Sequence, residues 1–431
     1  MKRIILMLCW LTPVVASAQI NKGVRFQNLG NWAQVLERAK QEHKNIFIDA
    51  YTTWCGPCKK MDAEVYSDVE VGEFVNANFI AVKIQMDDTG KDSDYARKWF
   101  PDAKYLMNKY HIDAFPTCLF ISPDGELLQK DVGYQVPKDF LAILKNAIDT
   151  EKSYAGQIRM FKAGKLINQE LFSLALKAKE NHQDTLAMEM AKEYKKMFID
   201  KSTPVKIIDD RLPHFISEFI DLFSTNDEII QFMYHKPFLA DSMMKIKGFA
   251  RRVSDYIIDR GIISPEIRKD GKYVTILPAW SEIEEKISKK FDPKTAKRLI
   301  INSKVGWYGH IKDWDNIIKY KVEQLDNEGL DTVGLASMGL NNLCYNVMFL
   351  HTNDPYALNK AIGYMEVILK NNPQSHAWLD TYANLLYKVG RKQEAIKQEL
   401  IAIKEGTRAK DENLSLYQDV LRKMQENLPT W

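Results

Sequence analysis

Cysteine is scarce: five in 431 residues, far below the density of a disulfide-stapled scaffold. An excess of charge of one sign is also missing. Lys and Arg number 60 against 57 Asp and Glu, a formal net charge of +3, so nothing draws the chain to nucleic acid or to an anionic membrane surface. Most of the cations stand beside acids at helical spacing and read as solvated helix faces. After Val15 no apolar run is long enough to cross a bilayer. Glycine-rich phosphate loops, paired-histidine motifs and a second close cysteine pair are all lacking. A structural zinc site would need that second Cys/His pair at ligand spacing, so no metal is expected. His43 and His111 stand alone, as surface or packing residues.

What is present begins with MKRIILMLCWLTPVVASAQ. Lys2 and Arg3, the apolar run Ile4 to Val15 and the small-x-small end Ala16-Ser17-Ala18 predict a signal peptide over 1–18. Leu6-Met7-Leu8 before Cys9 lacks the small residue that lipoprotein processing needs, so lipidation is excluded and the mature, exported chain starts near Gln19. Four cysteines then remain: Cys55, Cys58, Cys118 and Cys344. Cys118 and Cys344 lie on apolar patterns and read as buried, inert thiols. The length predicts two or three domains.

Asn31 can cap a helix, NWAQVLERAKQEHK, with Trp32, Val35, Leu36 and Ala39 on one face. NIFIDAY reads as a central strand, apolar on both faces. It runs into WCGPC, where Gly56 and Pro57 open a helix, KKMDAEVYSD. A short helix, VEVGEFVNA, precedes the strand FIAVKIQM. One or two helices interrupted by Pro101 are expected between Asp92 and His111. FPTCLFIS and ELLQKDVG read as strands joined by Pro123-Asp124-Gly125, and PKDFLAILKNAI closes the unit near Thr150. The order is α-β-α-β-α-β-β-α, an α/β mixed sheet covered by helices.

That order, with WCGPC at a strand-to-helix junction and Ala-Phe-Pro-Thr further on, resembles the thioredoxin fold over roughly residues 25 to 150. WCGPC is the active-site sequence of the thioredoxin family. Asp49, six residues before Cys55, falls where thioredoxins keep a buried acid, and Lys83 where they keep a lysine near it. Phe115-Pro116 matches the cis-proline loop that faces the active-site disulfide in this fold. Lys44-Asn45 after the first helix and the long insert between Lys83 and Pro116 look like the thioredoxin-like domains of exported bacterial proteins.

The resemblance implies a redox-active Cys55–Cys58 pair. Exchange requires a thiolate, and a free cysteine with pKa about 8.5 is only about 3% ionised at neutral pH. Cys55, at the start of a helix, has unpaired N–H groups and the positive end of the dipole towards its sulfur, which makes it the nucleophile. Cys58, one turn later, is expected to be the more buried thiol and to release the mixed disulfide. Asp49 is expected to keep a raised pKa and accept the proton of Cys58, with Lys83 tuning it. Trp54, Gly56, Pro57, Phe115 and Pro116 are the expected substrate contacts. Trp54 is read as a shield for the sulfurs, with core packing as its alternative. No bound cofactor is required.

From Ser153 onward the periodicity is helical almost throughout, broken at RKDGKYVTILPAW by a loop or hairpin. NPQSHAWLDTYANLLYKVGRKQEAIKQELIAIKEG resembles one tetratricopeptide repeat, with Ala383, Ala395 and Ala402 at its small positions. Ala361, thirty-four residues before Ala395, and Pro373 suggest a second, while Glu399 and Thr407 depart from the usual aromatic and proline. The expected domains are the signal peptide 1–18, a thioredoxin-like domain 25–150, an α-helical domain 151–340 and tetratricopeptide-like repeats 341–431. The function expected is an exported thiol–disulfide oxidoreductase, reductase or isomerase, in the periplasm of a Gram-negative bacterium. Its partners would be disulfide-bearing proteins held by the helical region and a membrane electron transporter, with no nucleic acid and no membrane insertion of the mature chain. The alternatives are a helical-repeat adaptor using the first domain as a platform, and a permanent structural disulfide.

Overall fold

The computed structural model describes residues 23–166 and 170–431. The signal-peptide reading over 1–18, with Cys9 and Gln19, lies outside the described residues. The chain divides into two compact units, Met1–Leu222 and Phe223–Trp431. Among the described residues no helix is long and apolar enough to cross a membrane.

In the first unit Asn31 caps α1 (Trp32–Glu42), its side-chain oxygen accepting the Gln34 N–H at 2.9 Å. His43 closes that helix in the left-handed conformation. β1 (Asn45–Tyr51) leads to α2 (Gly56–Lys60), whose winding widens to a π-helix over Met61–Val65. α3 (Val69–Asn78), β2 (Phe79–Gln85), α4 (Asp94–Tyr110), β3 (Thr117–Ile121), β4 (Leu127–Val132) and α5 (Pro137–Ile148) complete the domain. The sheet order is β2-β1-β3-β4, with β1 parallel to β2 and the other neighbours antiparallel. This is the expected mixed sheet covered by helices, followed by a largely all-helical region.

Pro101 does not interrupt α4, which runs unbroken through it. Proline removes one backbone donor, freeing the carbonyl four residues back. Both Pro101 and Arg97 lie on the exposed face, where water can take that bond, and Trp99, Ala103 and Leu106 anchor the opposite face in the core.

The alternation of β1 sorts its side chains into two cores. Ile46, Ile48 and Ala50 pack with Trp99, Leu106 and Leu119 on one side of the sheet. Phe47 packs with Met61, Val65, Tyr66, Phe120 and Phe140 on the other. Asp49, two residues after Phe47, points to that second side. The β3–β4 turn uses Gly125 at φ +84°, with the Ser122 N–H on the Glu126 carbonyl at 2.8 Å.

Within the second unit, RKDGKYVTILPAW opens as a hairpin: β5 (Arg268–Lys269) pairs with β6 (Lys272–Tyr273) around Asp270 and Gly271, both at positive φ. The chain ends in helices Pro355–Asn371, His376–Lys388, Lys392–Ala409 and Leu414–Gln425. Ala361, Ala383, Ala395 and Ala402 are each fully buried.

Glu399, on the helix of Ala395 and Ala402, is also fully buried, and neither carboxylate oxygen has a hydrogen-bond partner among the described residues. Burial, and then the neighbouring Asp380, hold its carboxyl far above the usual range, so it is protonated at neutral pH. A carboxyl raised on folding contributes stability that is complete below its unfolded pKa and lost as pH climbs towards the folded one. The melting temperature of the second unit is therefore expected to fall as pH rises from about 5 to about 8. One proton is worth about 1.4 kcal/mol per pH unit, roughly 3–5 °C. Glu399→Gln, neutral and of the same shape, is expected to flatten that slope in calorimetric melts across the range.

Candidate active site

The turn after β1 is pinned before the cysteines begin. The Thr53 N–H donates to both carboxylate oxygens of Asp87, at 3.0 and 3.1 Å, and the Cys55 N–H to the Thr52 carbonyl at 3.2 Å. Cys55 then takes the N-cap of α2, and its Sγ accepts the Cys58 N–H at 3.0 Å. Pro57 stands in the first turn, where its missing N–H costs nothing. Cys55 and Cys58 are joined by a disulfide with Cα atoms 5.3 Å apart. When that bond is reduced, a hydrogen bond from Cys58 N–H and the positive helix end favour the thiolate of Cys55 over its thiol.

Both sulfurs are buried, the residues 1% and 2% exposed, so the expected difference in depth is not found in the disulfide form. The bond holds the two atoms at one depth, and what distinguishes them is the capping position of Cys55. Around them the surface is open: Gly56 and Pro57 are exposed. Trp54 is 71% exposed, which removes its core-packing alternative. Its ring meets that of Phe115 edge-on at 6.1 Å, and the Phe115–Pro116 peptide bond is cis. Two expected substrate contacts from distant parts of the domain sequence thus meet, one of them next to Cys55 in the chain.

Beneath the site, strand register makes Asp49 the neighbour of Lys83 on β2 and of Cys118 on β3. Asp49 is 1% exposed. Lys83 Nζ lies 3.2 Å from Asp49 Oδ2 but out of hydrogen-bonding alignment, leaving both Asp49 oxygens without a hydrogen-bond partner among the described residues. Burial raises its carboxyl to about 6 against the opposing pull of Lys83. Burial opposes the charge on Lys83 as well, yet Asp49 and Asp62 together push its pKa up. Lys83 is bonded to Asp62, and its ammonium sits 4.8 Å from the centre of the Tyr51 ring.

Cys118 is buried with the Tyr66 hydroxyl 3.5 Å from its sulfur, and burial followed by the charge of Asp49 drives its thiol well above the usual range. Cys344 is buried too, its thiol pushed up to about 12 by burial. Both fit the inert reading. His43 and His111 each close a helix in the left-handed conformation, and the His111 ring stacks on His182 at 4.1 Å.

Sequence reasoning missed Asp62, Tyr66 and Asp87. Asp62 stands four residues after Cys58 on a stretch read as an ordinary helix, and that one-turn spacing from the cysteine was the available signal. Asp62 raises the pKa of Asp49 by its charge. Asp62→Asn is therefore expected to move the midpoint of Asp49 down from about 6, by about a unit or less, in a carboxyl-carbon NMR titration.

Residues 32–148 match the family model of a thioredoxin-like domain. A thiol:disulfide interchange protein DsbD of Photorhabdus laumondii is 25% identical over 118 residues, 27% of this chain and 19% of that protein. Thioredoxin-2 of Pyricularia oryzae is 32% identical over 113 residues, 26% of this chain and 53% of that one. The solution structure of a thioredoxin from Thermus thermophilus aligns with 31% of this chain and 93% of its own, at 18% identity and a TM-score of 0.25. The chain thus spans about a fifth and about half of the lengths of these two curated relatives. Residues 32–148 are a thioredoxin-like domain carrying a Cys55–Cys58 pair.

Proposed function

We propose that this protein is an exported thiol–disulfide oxidoreductase that reduces or isomerises protein disulfides. The observation that carries the reading is the Cys55–Cys58 disulfide at the start of α2, in a domain that also buries Asp49 beside Lys83. The thiolate of Cys55 attacks a substrate disulfide: a Cys55–substrate bond forms, the substrate bond breaks and the departing sulfur takes a proton. Cys58 then gives its proton to Asp49 and attacks the Cys55 sulfur. The enzyme disulfide forms, the second substrate thiol leaves, and two electrons have passed to the substrate. Asp49 with a pKa about 6 is ionised enough to accept that proton at neutral pH and can return it when the enzyme is reduced again.

Trp54, Gly56, Pro57, Phe115 and Pro116 form the surface against which the substrate lies, its backbone pairing beside Pro116. Gly-Pro between the cysteines resembles the reducing members of the thioredoxin superfamily, which favours the reducing direction, and in the periplasm electrons would come from a membrane transporter. A relative named as a thiol:disulfide interchange protein supports disulfide exchange as the chemistry. Residues 151–340 and the tetratricopeptide-like 341–431 would hold the partner proteins; the buried alanines at 361, 383, 395 and 402 support close helix packing there.

The reading is tested with dithiothreitol as electron source and insulin as substrate. The protein is expected to accelerate reduction well above dithiothreitol alone. No acceleration, with partner binding unchanged in a Cys55→Ser/Cys58→Ser double variant, would favour the adaptor.

A further inference from the structure

The second unit contains a cavity of about 740 Å³ between helices Phe249–Ile258 and Pro293–Ile311. Five cations line it, Arg251, Arg252, Lys294, Lys297 and Arg298, against two acids, Asp255 and Glu328. Three of the cations are already engaged. Arg298 forks onto Asp255 with two bonds of 2.7 Å, Arg251 lies 3.8 Å from the same carboxylate, and Lys297 lies 3.2 Å from Glu323. Lys294 and Arg252 are different: among the described residues neither has a carboxylate within ion-pair distance, and Arg252 donates only to the Lys247 carbonyl at 3.3 Å. The nearby carboxylate of Asp292 accepts the Thr295 N–H at 2.9 Å and the Tyr234 hydroxyl, and it makes no ion pair with Lys294.

We infer that this cavity binds an acidic peptide segment of a protein partner, its carboxylates meeting Arg252 and Lys294. The fixed Arg298–Asp255 fork keeps the wall in place, and the two cations without an ion pair, exposed and on different helices, remain to be paired by a ligand. The remaining wall favours a peptide over a small anion. Tyr234 and Pro237 give it an apolar side, and Phe238, next in the chain, is 89% exposed. Apolar side chains set between the acids would cover that surface. The inference stands apart from the redox reading, because none of these residues belongs to the cysteine site.

The test is fluorescence anisotropy on the full mature chain with a labelled peptide of alternating Glu and Leu. Binding is expected to weaken with salt, and to weaken by about tenfold or more in Arg252→Glu/Lys294→Glu. If that variant fails to fold by circular dichroism, Arg252→Gln/Lys294→Gln takes its place, with the same loss expected. Equal binding of the Gln-for-Glu peptide, or unchanged affinity in a folded variant, would overturn the site. Displacement of the peptide by succinate at equal affinity would overturn the choice of a peptide ligand.

Discussion

Cys55→Ser is expected to abolish turnover against a protein disulfide, by about 10³-fold or more, while Cys58→Ser leaves the first attack intact and stops at a mixed disulfide. The asymmetry follows from the positions of the sulfurs. Cys55 caps α2 and receives the Cys58 N–H at 3.0 Å, so its thiolate has a donor waiting when the bond opens. A serine hydroxyl there remains protonated and attacks no disulfide. Cys58, one turn into the helix, has the second task of resolving the intermediate. Non-reducing gels of Cys58→Ser with substrate should therefore show a covalent adduct that dithiothreitol releases. Adduct formation at Cys58 in the Cys55→Ser variant would reverse the assignment.

Replacing Asp49 is expected to separate activity from stability. Asp49→Asn cannot take the proton of Cys58, and loss of a positioned general base slows a step by about 10²-fold. The sign with pH is fixed by the same group. In the native protein the resolving step should quicken as pH rises through about 6, where Asp49 ionises, and that limb should vanish in the variant. The carboxyl is raised on folding, from 3.8 to about 6, so its contribution to stability is complete below the lower value and lost as pH climbs to the upper one. At neutral pH the buried charge then costs roughly 2–3 kcal/mol. Asp49→Leu removes that cost and leaves Lys83 its bond to Asp62, so this inactive variant should melt higher than the native protein, by roughly 5–10 °C. Stopped-flow release of the substrate thiol and calorimetry read the two effects separately.

Local signals in the sequence carried the local structure. Asn31 marks the start of α1 because its side chain can satisfy a free N–H. NIFIDAY is read as a central strand from apolar residues on both faces, and Asp-Gly pairs mark both hairpins. The thioredoxin-like domain was legible by resemblance: WCGPC, Asp49, Lys83 and Pro116 stand where the thioredoxin family keeps its cysteine pair, buried acid, lysine and cis-proline. Pro101 misled because a proline says where a donor is missing but not whether water can take its place. Asp62 was hidden because its partner, Lys83, lies 21 residues away on a strand, and a π-helical turn changes which side chains of that segment share a face. The equal depth of the two sulfurs depends on the disulfide, which spacing alone does not report. The cavity between helices Phe249–Ile258 and Pro293–Ile311 was equally out of reach, since it exists only where two segments some forty residues apart pack together.

The most direct test of the central claim is the reduction potential of the Cys55–Cys58 pair, measured by equilibration of the mature protein in glutathione and dithiothreitol buffers. The account predicts ready exchange and a potential between about −270 and −180 mV, the range of thioredoxin to disulfide isomerase. A pair that does not exchange, or one held below about −300 mV as structural disulfides are, would contradict it.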